Sequence, residues 1–568
     1  MCSETQDRDF APILQPTIAI FKKGSDDNRF QECPLINLDL PHLILCGAST
    51  RSLAESALRA GINPICVDFF GDQDLVDLLS DAHRSSQATR SLSYYLRRIS
   101  CFSEVPEKIT DLDPSIPLMW TGGLENHLEL LQQLLTQRPL MGAPLPAVEI
   151  VRDLFSWQSW LADAGFHVPV TRSSDQFCRE NDEKKFRESA AESFVSEKPT
   201  LSPTTSPTTW LAKPLGGAGG SGIVRVNSNP KEAKSSLFTQ MTNAHQRHQP
   251  NCSIIYQQLI SGSPASATFV ADHQGCRLIG CSLQLCGWSS LGAGEFQFCG
   301  NYGPITLPTA LIAKIEAVGQ LTAARAGLRG VFGIDFILPD GPRSGPGTQN
   351  SDPYFLEVNP RLTASHELFD LNFTNGRSLF LQHIRSCLSP EPSHPLNYGL
   401  TQHSDYSRVQ SAAENQVSHQ VRGVHRLSSH LTGTSVDEFP GPVRDPKIRL
   451  LRMIVYAPRD IRSDECFDPK SNAGKSVRLP NLRLSEPEHP AGLSNVPGCW
   501  LADLPPSGTE IPAGSPVCSV YISGKTLPEI LKHVRSELVS KWLLRASGLC
   551  LDQLENELSA SLFDTPES

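Results

Sequence analysis

No C-x-x-C pair occurs in the 568 residues, although the chain holds 16 cysteines. They are scattered, and Cys46, Cys66, Cys281 and Cys286 sit in apolar runs. That spacing suits reduced, buried thiols better than a zinc site or a disulfide framework. Cys276, Cys281 and Cys286 invite a metal reading, but the run between them alternates as strands do. No apolar run approaches the roughly 20 residues that a membrane helix needs. The first ten residues, MCSETQDRDF, are polar and acidic, unlike a secretory signal. The expected location is the cytoplasm, with no membrane partner. Positive charge is not in excess: the formal net charge is −10. That argues against a nucleic-acid-binding surface. No internal repeat is visible.

What is present is enough chain for about three or four domains, each with its own core. The run HLILCGASTRSLAESALRAGINPICVDFF reads as a βαβ unit. The pattern predicts a strand at 42–46, a helix at 52–60 capped by Gly61, and a strand at 64–68. Asp68 ends the second strand, where a dinucleotide site places its ribose acid. Gly47-Ala48-Ser49 lacks the glycine set of such a site, so a plain α/β domain is the better expectation. A later strand ends in the loop Gly122–Asn126. Residues 174–208 are rich in Ser, Thr, Pro, Glu and Lys and read as a flexible insertion.

The run WLAKPLGGAGGSGIVRV contains GAGGSG, a formal match to G-x-G-x-x-G. A dinucleotide fingerprint needs a helix after the glycines. Here Ile223-Val224-Arg225-Val226 alternates and is β-branched, so a strand follows. Two readings stay open: a hairpin flap whose backbone N–H groups hold phosphate, with Lys213 adding charge, or a flexible surface loop. Further strands are expected at 253–260, 267–271, 275–285, 330–338 and 354–358, with a helix at 311–326. Residues 340–353 read as a hairpin loop and 526–560 as a final helical segment.

The sharpest signal is GVFGIDFILPDG followed by PYFLEVNPRLTAS. Asp335 lies mid-strand between apolar neighbours, and Glu357 and Asn359 alternate on the facing strand. A buried carboxylate is costly unless paired. Mg²⁺ bridging nucleotide phosphates is one such partner, and hard oxygen ligands suit it. Arg361 has the same parity and can meet phosphate oxygens bidentately. The alternative is a sheet-edge salt-bridge cluster.

Glycine flap, strand lysine, hinge strand and Asp…Glu-x-Asn-x-Arg form an ordered series that resembles the ATP-grasp superfamily. EVNPR is wording found in its carbamoyl-phosphate-synthetase-like and carboxylase-like members. GASTRSLAESALRAG, TGGLEN, KPLGGAGGSGI and PGCWLADLPPSGTEIPAGSPVCSV resemble a branch of predicted ATP-dependent carboligases related to biotin carboxylase. The resemblance implies an α/β and α+β multidomain fold. A lead-in (1–40) would precede a Rossmann-like pre-grasp domain (41–145) and an ATP-grasp fold of two α+β subdomains (146–389). A polar linker (390–444) and a small, mostly β C-terminal domain (445–568) would follow.

By the same resemblance, Lys213 holds the α- and β-phosphates, and Gly216, Gly217, Gly219, Gly220 and Gly222 form the flap. Gln257, Gln258 and Ile260 belong to the hinge that meets adenine; a Gln stands where the family usually has Glu. The ribose carboxylate of many members has no counterpart in GSPASAT, which leaves Ser263 or Ser266. Asp335, Glu357 and Asn359 match the magnesium ligands, with Mn²⁺ as an alternative ion, and Arg361 the arginine at the transferring phosphoryl group. Arg152 falls near an upstream lysine of the family.

The implied reaction is ADP-forming ligation of a small-molecule carboxylate to an amine through an acyl phosphate, with ATP and Mg²⁺ as cofactors. Candidates for the acceptor site are Ser49, Thr50, Arg51, the Gly122–Asn126 loop, Thr363, Ser365 and His366. Trp288 is a candidate for substrate packing or for the core. The branch is associated with methanopterin- and methanofuran-type one-carbon cofactors. The rivals are a bicarbonate-activating carboxylase, a non-catalytic nucleotide-binding module and a Rossmann dehydrogenase. No biotinylation motif such as A-M-K-M is present. A homodimer is compatible with all of these.

Overall fold

In the computed structural model, the residues described are 40–85, 91–179, 209–217, 219–226, 253–339, 352–370, 378–388, 448–466, 499–534, 553–554 and 556–557. The expected lead-in, apart from Leu40, and the polar linker lie outside them, as does most of the 340–353 loop.

The first layer is a parallel sheet. β1 (His42–Gly47), β2 (Asn63–Asp68), β3 (Leu96–Arg98) and β4 (Leu118–Trp120) lie in the order β3-β2-β1-β4. β1 and β2 are near-continuous apolar runs because parallel strands are covered on both faces. The crossover helix Arg51–Arg59 buries Leu53, Ala54 and Ala57. It ends at Gly61 (φ 76°), as the sequence predicts.

The second sheet is small and antiparallel. β5 (Thr171–Ser173), β6 (Trp210–Pro214), β7 (Val224–Val226) and β8 (Ile254–Gln258) take the order β5-β8-β6-β7. Residues 174–179 of the expected insertion are helical, and 180–208 lie outside the described residues. Phe177 is buried there and stacks on Tyr256, ring centroids 4.0 Å apart. Apolar contact with the sheet overrides the polar local composition.

The third sheet is the largest. β9 (Gly262–Asp272), β10 (Gly275–Cys286), β11 (Phe298–Ile305), β12 (Gly330–Pro339), β13 (Tyr354–Asn359) and β14 (Arg449–Tyr456) are joined by C-terminal strands. β15 (Ile461–Arg462) and β17 (Glu510–Ile511) form a separate pair. β16 (Cys499–Ala502) and β18 (Pro516–Gly524) enter the large sheet, whose order is β13-β12-β9-β10-β11-β14-β18-β16. The boundary expected at 445 therefore separates chain segments but not sheets: β14 pairs directly with β11. β9 is longer than expected, since Gly262–Ser266 pairs with Asp335–Pro339 despite its turn-like composition. The helix Thr309–Ala326 covers one face of this sheet, its Trp157-facing Thr322 accepting from the indole N–H at 3.0 Å. Among the described residues, no helix is long and apolar enough to cross a membrane.

One neutral histidine ties three parts together. His383, on the helix Leu379–Leu388, accepts from the Val331 N–H at 2.8 Å through Nδ1. Its Nε2 donates to Met141 O at 3.2 Å. Met141 in turn bonds Leu118 of β4. Burial pushes the imidazole down to about 4, against about 6.5 when unfolded. The fold favours the neutral ring, so its contribution is complete above about pH 6.5 and is lost as pH falls toward 4. At about 1.4 kcal/mol per pKa unit, on the order of 3 kcal/mol is at stake. His383→Gln, neutral at every pH, should flatten the fall in melting temperature between about pH 7 and pH 4.5. Parallel melting curves for the two proteins would show that His383 is not the group responsible.

Candidate active site

A cavity of about 530 Å³ opens between the small sheet and the large one. From the small sheet, β6 supplies Lys213 and β8 supplies Gln257 and Gln258. From the large sheet come Asp335, Glu357 and Asn359, with Arg361 just past β13. Gly216, Gly217, Gly219, Gly220 and Ile260 also line it. The sequence-predicted residues thus meet around one space, apart from Gly222, which lies in the same hairpin but outside the lining. The volume is in the range of small-molecule sites.

The glycine run is a hairpin, since β6 and β7 pair antiparallel on either side of it. No helix follows the glycines, which excludes the dinucleotide fingerprint here. Its tip touches the large sheet. Phe298 N–H donates to Gly219 O at 2.9 Å, and Arg225 pairs with Glu295. Gly220 has φ 71°, and a Cβ there would lie 1.9 Å from Phe296 O. Only a glycine permits that approach.

Lys213 Nζ donates to Gln257 Oε1 at 3.2 Å and stands 4.0 Å from Glu357 Oε2. Gln257 Nε2 donates to Thr171 Oγ1 at 3.1 Å. The Gln257 amide therefore has lysine and threonine for partners, and it orients Lys213 into the cavity. Asp335 Oδ1 accepts from Gln284 Nε2 at 3.1 Å and Oδ2 from Asn359 Nδ2 at 3.0 Å. Burial, then the neighbouring Glu357 carboxylate, push Asp335 up to about 6. A cation between the two acids would relieve both causes. No group of three or more His, Cys, Asp or Glu side chains able to hold a metal exists among the described residues. Two carboxylates and an amide fit an ion that keeps water and phosphate oxygens in its shell, as Mg²⁺ does.

Arg361 Nε donates to Glu125 Oε1 at 2.6 Å, and Glu125 is 3% exposed. The Gly123 N–H donates to the other Glu125 oxygen at 2.8 Å. Glu125 comes from the Gly122–Asn126 loop, so the parallel-sheet domain supports the arginine. Arg152 donates to Asn126 Oδ1 at 2.5 Å and lines the cavity.

Other expected positions have different work. Thr50 donates through N–H and hydroxyl to Asp68 Oδ2, and Gly71 N–H to Oδ1. Asp68 thus closes its own turn and is fully buried, leaving no carboxylate for a ribose. Ser49, Thr50 and Arg51 do not line the cavity; Arg51 is bound to Asp503 and Glu367. Ser266 bonds Asp335 and not a ribose site. His366 Nδ1 is 2.9 Å from Thr363 O, a local bond. Trp288 is a core residue. Sequence reasoning missed Ser282, Gln284 and Asn301, which line the cavity floor. For Ser282 and Gln284 the polar positions at alternate residues in GCRLIGCSLQLC were the available signal.

Residues 152–365 match the family profile described as ATP-grasp domain. No curated protein matches the chain. Among solved structures, one that is similar is carboxyaminoimidazole ribonucleotide synthase from Aspergillus clavatus complexed with ATP. It is 11% identical, with a TM-score of 0.51, covering 89% of this chain and 100% of that one. Another is the biotin carboxylase domain dimer of Hydrogenobacter thermophilus 2-oxoglutarate carboxylase in complex with MgADP, ADP and bicarbonate. It is also 11% identical, with a TM-score of 0.51, covering 91% of this chain and 98% of that one. At such identity these likenesses bear on the fold alone.

The flap contact has a direct readout. Gly220→Ala should lower hydrogen-exchange protection of the Phe298 amide at least about tenfold while β12 amides keep theirs. Unchanged protection at Phe298 would show that the contact does not depend on the glycine.

Proposed function

We propose that this chain, whose residues 152–365 match an ATP-grasp domain, is an ADP-forming ligase joining a carboxylate to an amine. The observation that supports this most is the placement of Lys213 and the Asp335–Glu357–Asn359 set around one cavity under a glycine hairpin. ATP is the phosphoryl donor in this reading. A carboxylate oxygen of the first substrate attacks the γ-phosphorus, the bond to the bridging oxygen breaks, and ADP leaves. The amine nitrogen then attacks the acyl carbon, phosphate leaves with the bonding pair, and the nitrogen gives up a proton.

Each residue has a part in that scheme. Phosphoryl transfer calls for positioning and charge neutralisation more than for a protein nucleophile. Lys213 neutralises the phosphate chain, held in place by Gln257. Asp335, Glu357 and Asn359 hold Mg²⁺, which when bound screens the phosphate oxygens. Arg361, supported by Glu125, meets the transferring group. The closed flap keeps water from the acyl phosphate. Support for a role in one-carbon cofactor synthesis is the motif resemblance to the carboligase branch alone.

The second reading is activation of bicarbonate, favoured by the carboxylation enzymes among the similar structures. A screen of carboxylate and amine pairs for ADP release, with and without bicarbonate, separates the two. Bicarbonate-dependent release that needs no other carboxylate would replace the ligase reading.

Two substitutions test the site itself by calorimetry. Lys213→Ala should weaken ATP binding about 10- to 100-fold, the worth of a charge-assisted contact. Glu357→Gln should abolish most of the Mg²⁺ enhancement of ATP binding. ATP binding that ignores both changes would place the nucleotide elsewhere.

A further inference from the structure

The floor of the cavity is one polar row. In-register partners of an antiparallel sheet share a face. Glu357 pairs with Asp335, Asp335 with Ser266, and Ser266 with Ser282. Gln284, two residues beyond Ser282, faces the same side and pairs with Asn301 of β11. All six residues line the cavity.

The row changes character along its length. At its β13 end stand the two carboxylates, with Gln284 and Asn359 donating to Asp335. Toward its β11 end stand Ser282 of β10 and Asn301 of β11, 0% and 2% exposed. Neither the Ser282 hydroxyl oxygen nor Asn301 Oδ1 has a hydrogen-bond partner among the described residues. Buried polar atoms are nearly always paired, and an unpaired one calls for a reason. These two do not face packed core. They face a cavity whose other end is suited to phosphate.

Their chemistry selects the ligand. Asn301 Oδ1 only accepts, and the Ser282 hydroxyl can accept as well as donate. A carboxylate brought here would set its oxygen against Asn301 Oδ1. A group with two or more N–H bonds satisfies both atoms. We propose that Ser282 and Asn301 form the subsite of the second substrate, and that this substrate is an amine donating to both oxygens. The inference rests on the ligase reading above and adds where the nucleophile sits and what recognises it. From this end of the row the nitrogen faces the carboxylate activated at the Asp335 end.

The test uses the full chain saturated with MgATP and three probes: glycinamide and ethanolamine as amines without a carboxylate, and acetate as the control. Saturable amine binding in the millimolar range is expected, weakened about tenfold or more by Ser282→Ala and by Asn301→Leu. Asn301→Asp keeps the acceptor and should keep the amine. Acetate and MgATP binding should stay within about twofold in Ser282→Ala. The melting temperature of Ser282→Ala should not fall, because an unpaired hydroxyl is being removed; a structural serine would lower it. Amine affinity unchanged in Ser282→Ala and Asn301→Leu would overturn the subsite, as would loss of acetate in place of the amine. Should Asn301→Leu fail to fold, Ser282→Ala and Asn301→Asp decide the matter. Wild-type protein that binds amine but not MgATP would overturn the ligase reading, and this inference with it.

Discussion

The guanidinium of Arg51 is the point at which four stretches of chain converge. It is 2.8 Å from Asp503, 3.0 Å from Glu367, 3.3 Å from Glu55 and 3.6 Å from Asp74. Arg452 adds a second cation, 3.1 Å from Asp503, and the Tyr521 hydroxyl donates to Glu367 at 2.6 Å. Burial alone would raise Asp503 and Glu367, but the two arginines more than offset it and hold both carboxylates low. Asp503 takes φ 56° to reach them, a conformation uncommon outside glycine. Such a group is costly to desolvate and about 3–5 kcal/mol more costly to leave half-paired. It therefore constrains the parallel-sheet domain, the C-terminal strands and the Glu367 helix to one arrangement. That helix begins directly after the Arg361–Ser365 segment, so the constraint extends to the cavity wall.

The cavity inherits its order from sheet pairing. Strands β13, β12, β9, β10 and β11 each give one or two polar side chains to the same face. Acids gather at one end and neutral groups at the other, which separates a charged region from an uncharged one. The glycine hairpin closes over this floor from a different sheet. The acids, the neutral polar groups and the glycine hairpin thus come to the cavity from separate elements.

The rival readings meet specific obstacles. A dinucleotide site needs a free acid after β2, and Asp68 is buried with both oxygens occupied by its own turn. The fold by itself does not choose among ligation, carboxylation and binding, since one fold hosts many reactions. The choice rests on the side chains lining the cavity, which is why the polar row carries more weight than the overall likeness.

By itself the sequence determined the local elements. Alternation marked β12 and β13, Gly61 marked a helix end, and the β-branched run after GAGGSG marked a hairpin. These follow from backbone geometry over a few residues. Asp335, Glu357 and Lys213 stood out because a charged side chain inside an apolar strand demands a partner, and Asn359 because it alternates with Glu357. Tertiary structure decided what depends on distant chain. GSPAS reads as a turn yet becomes a strand because β12 pairs along it. The C-terminal strands read as a separate domain yet complete the large sheet through β14. Ser282 and Asn301 gained their place from strand register and Glu125 from its pair with Arg361, and Arg51 left the expected site because three distant acids surround it. Period and propensity are properties of neighbours in sequence; pairing and charge compensation belong to neighbours in space.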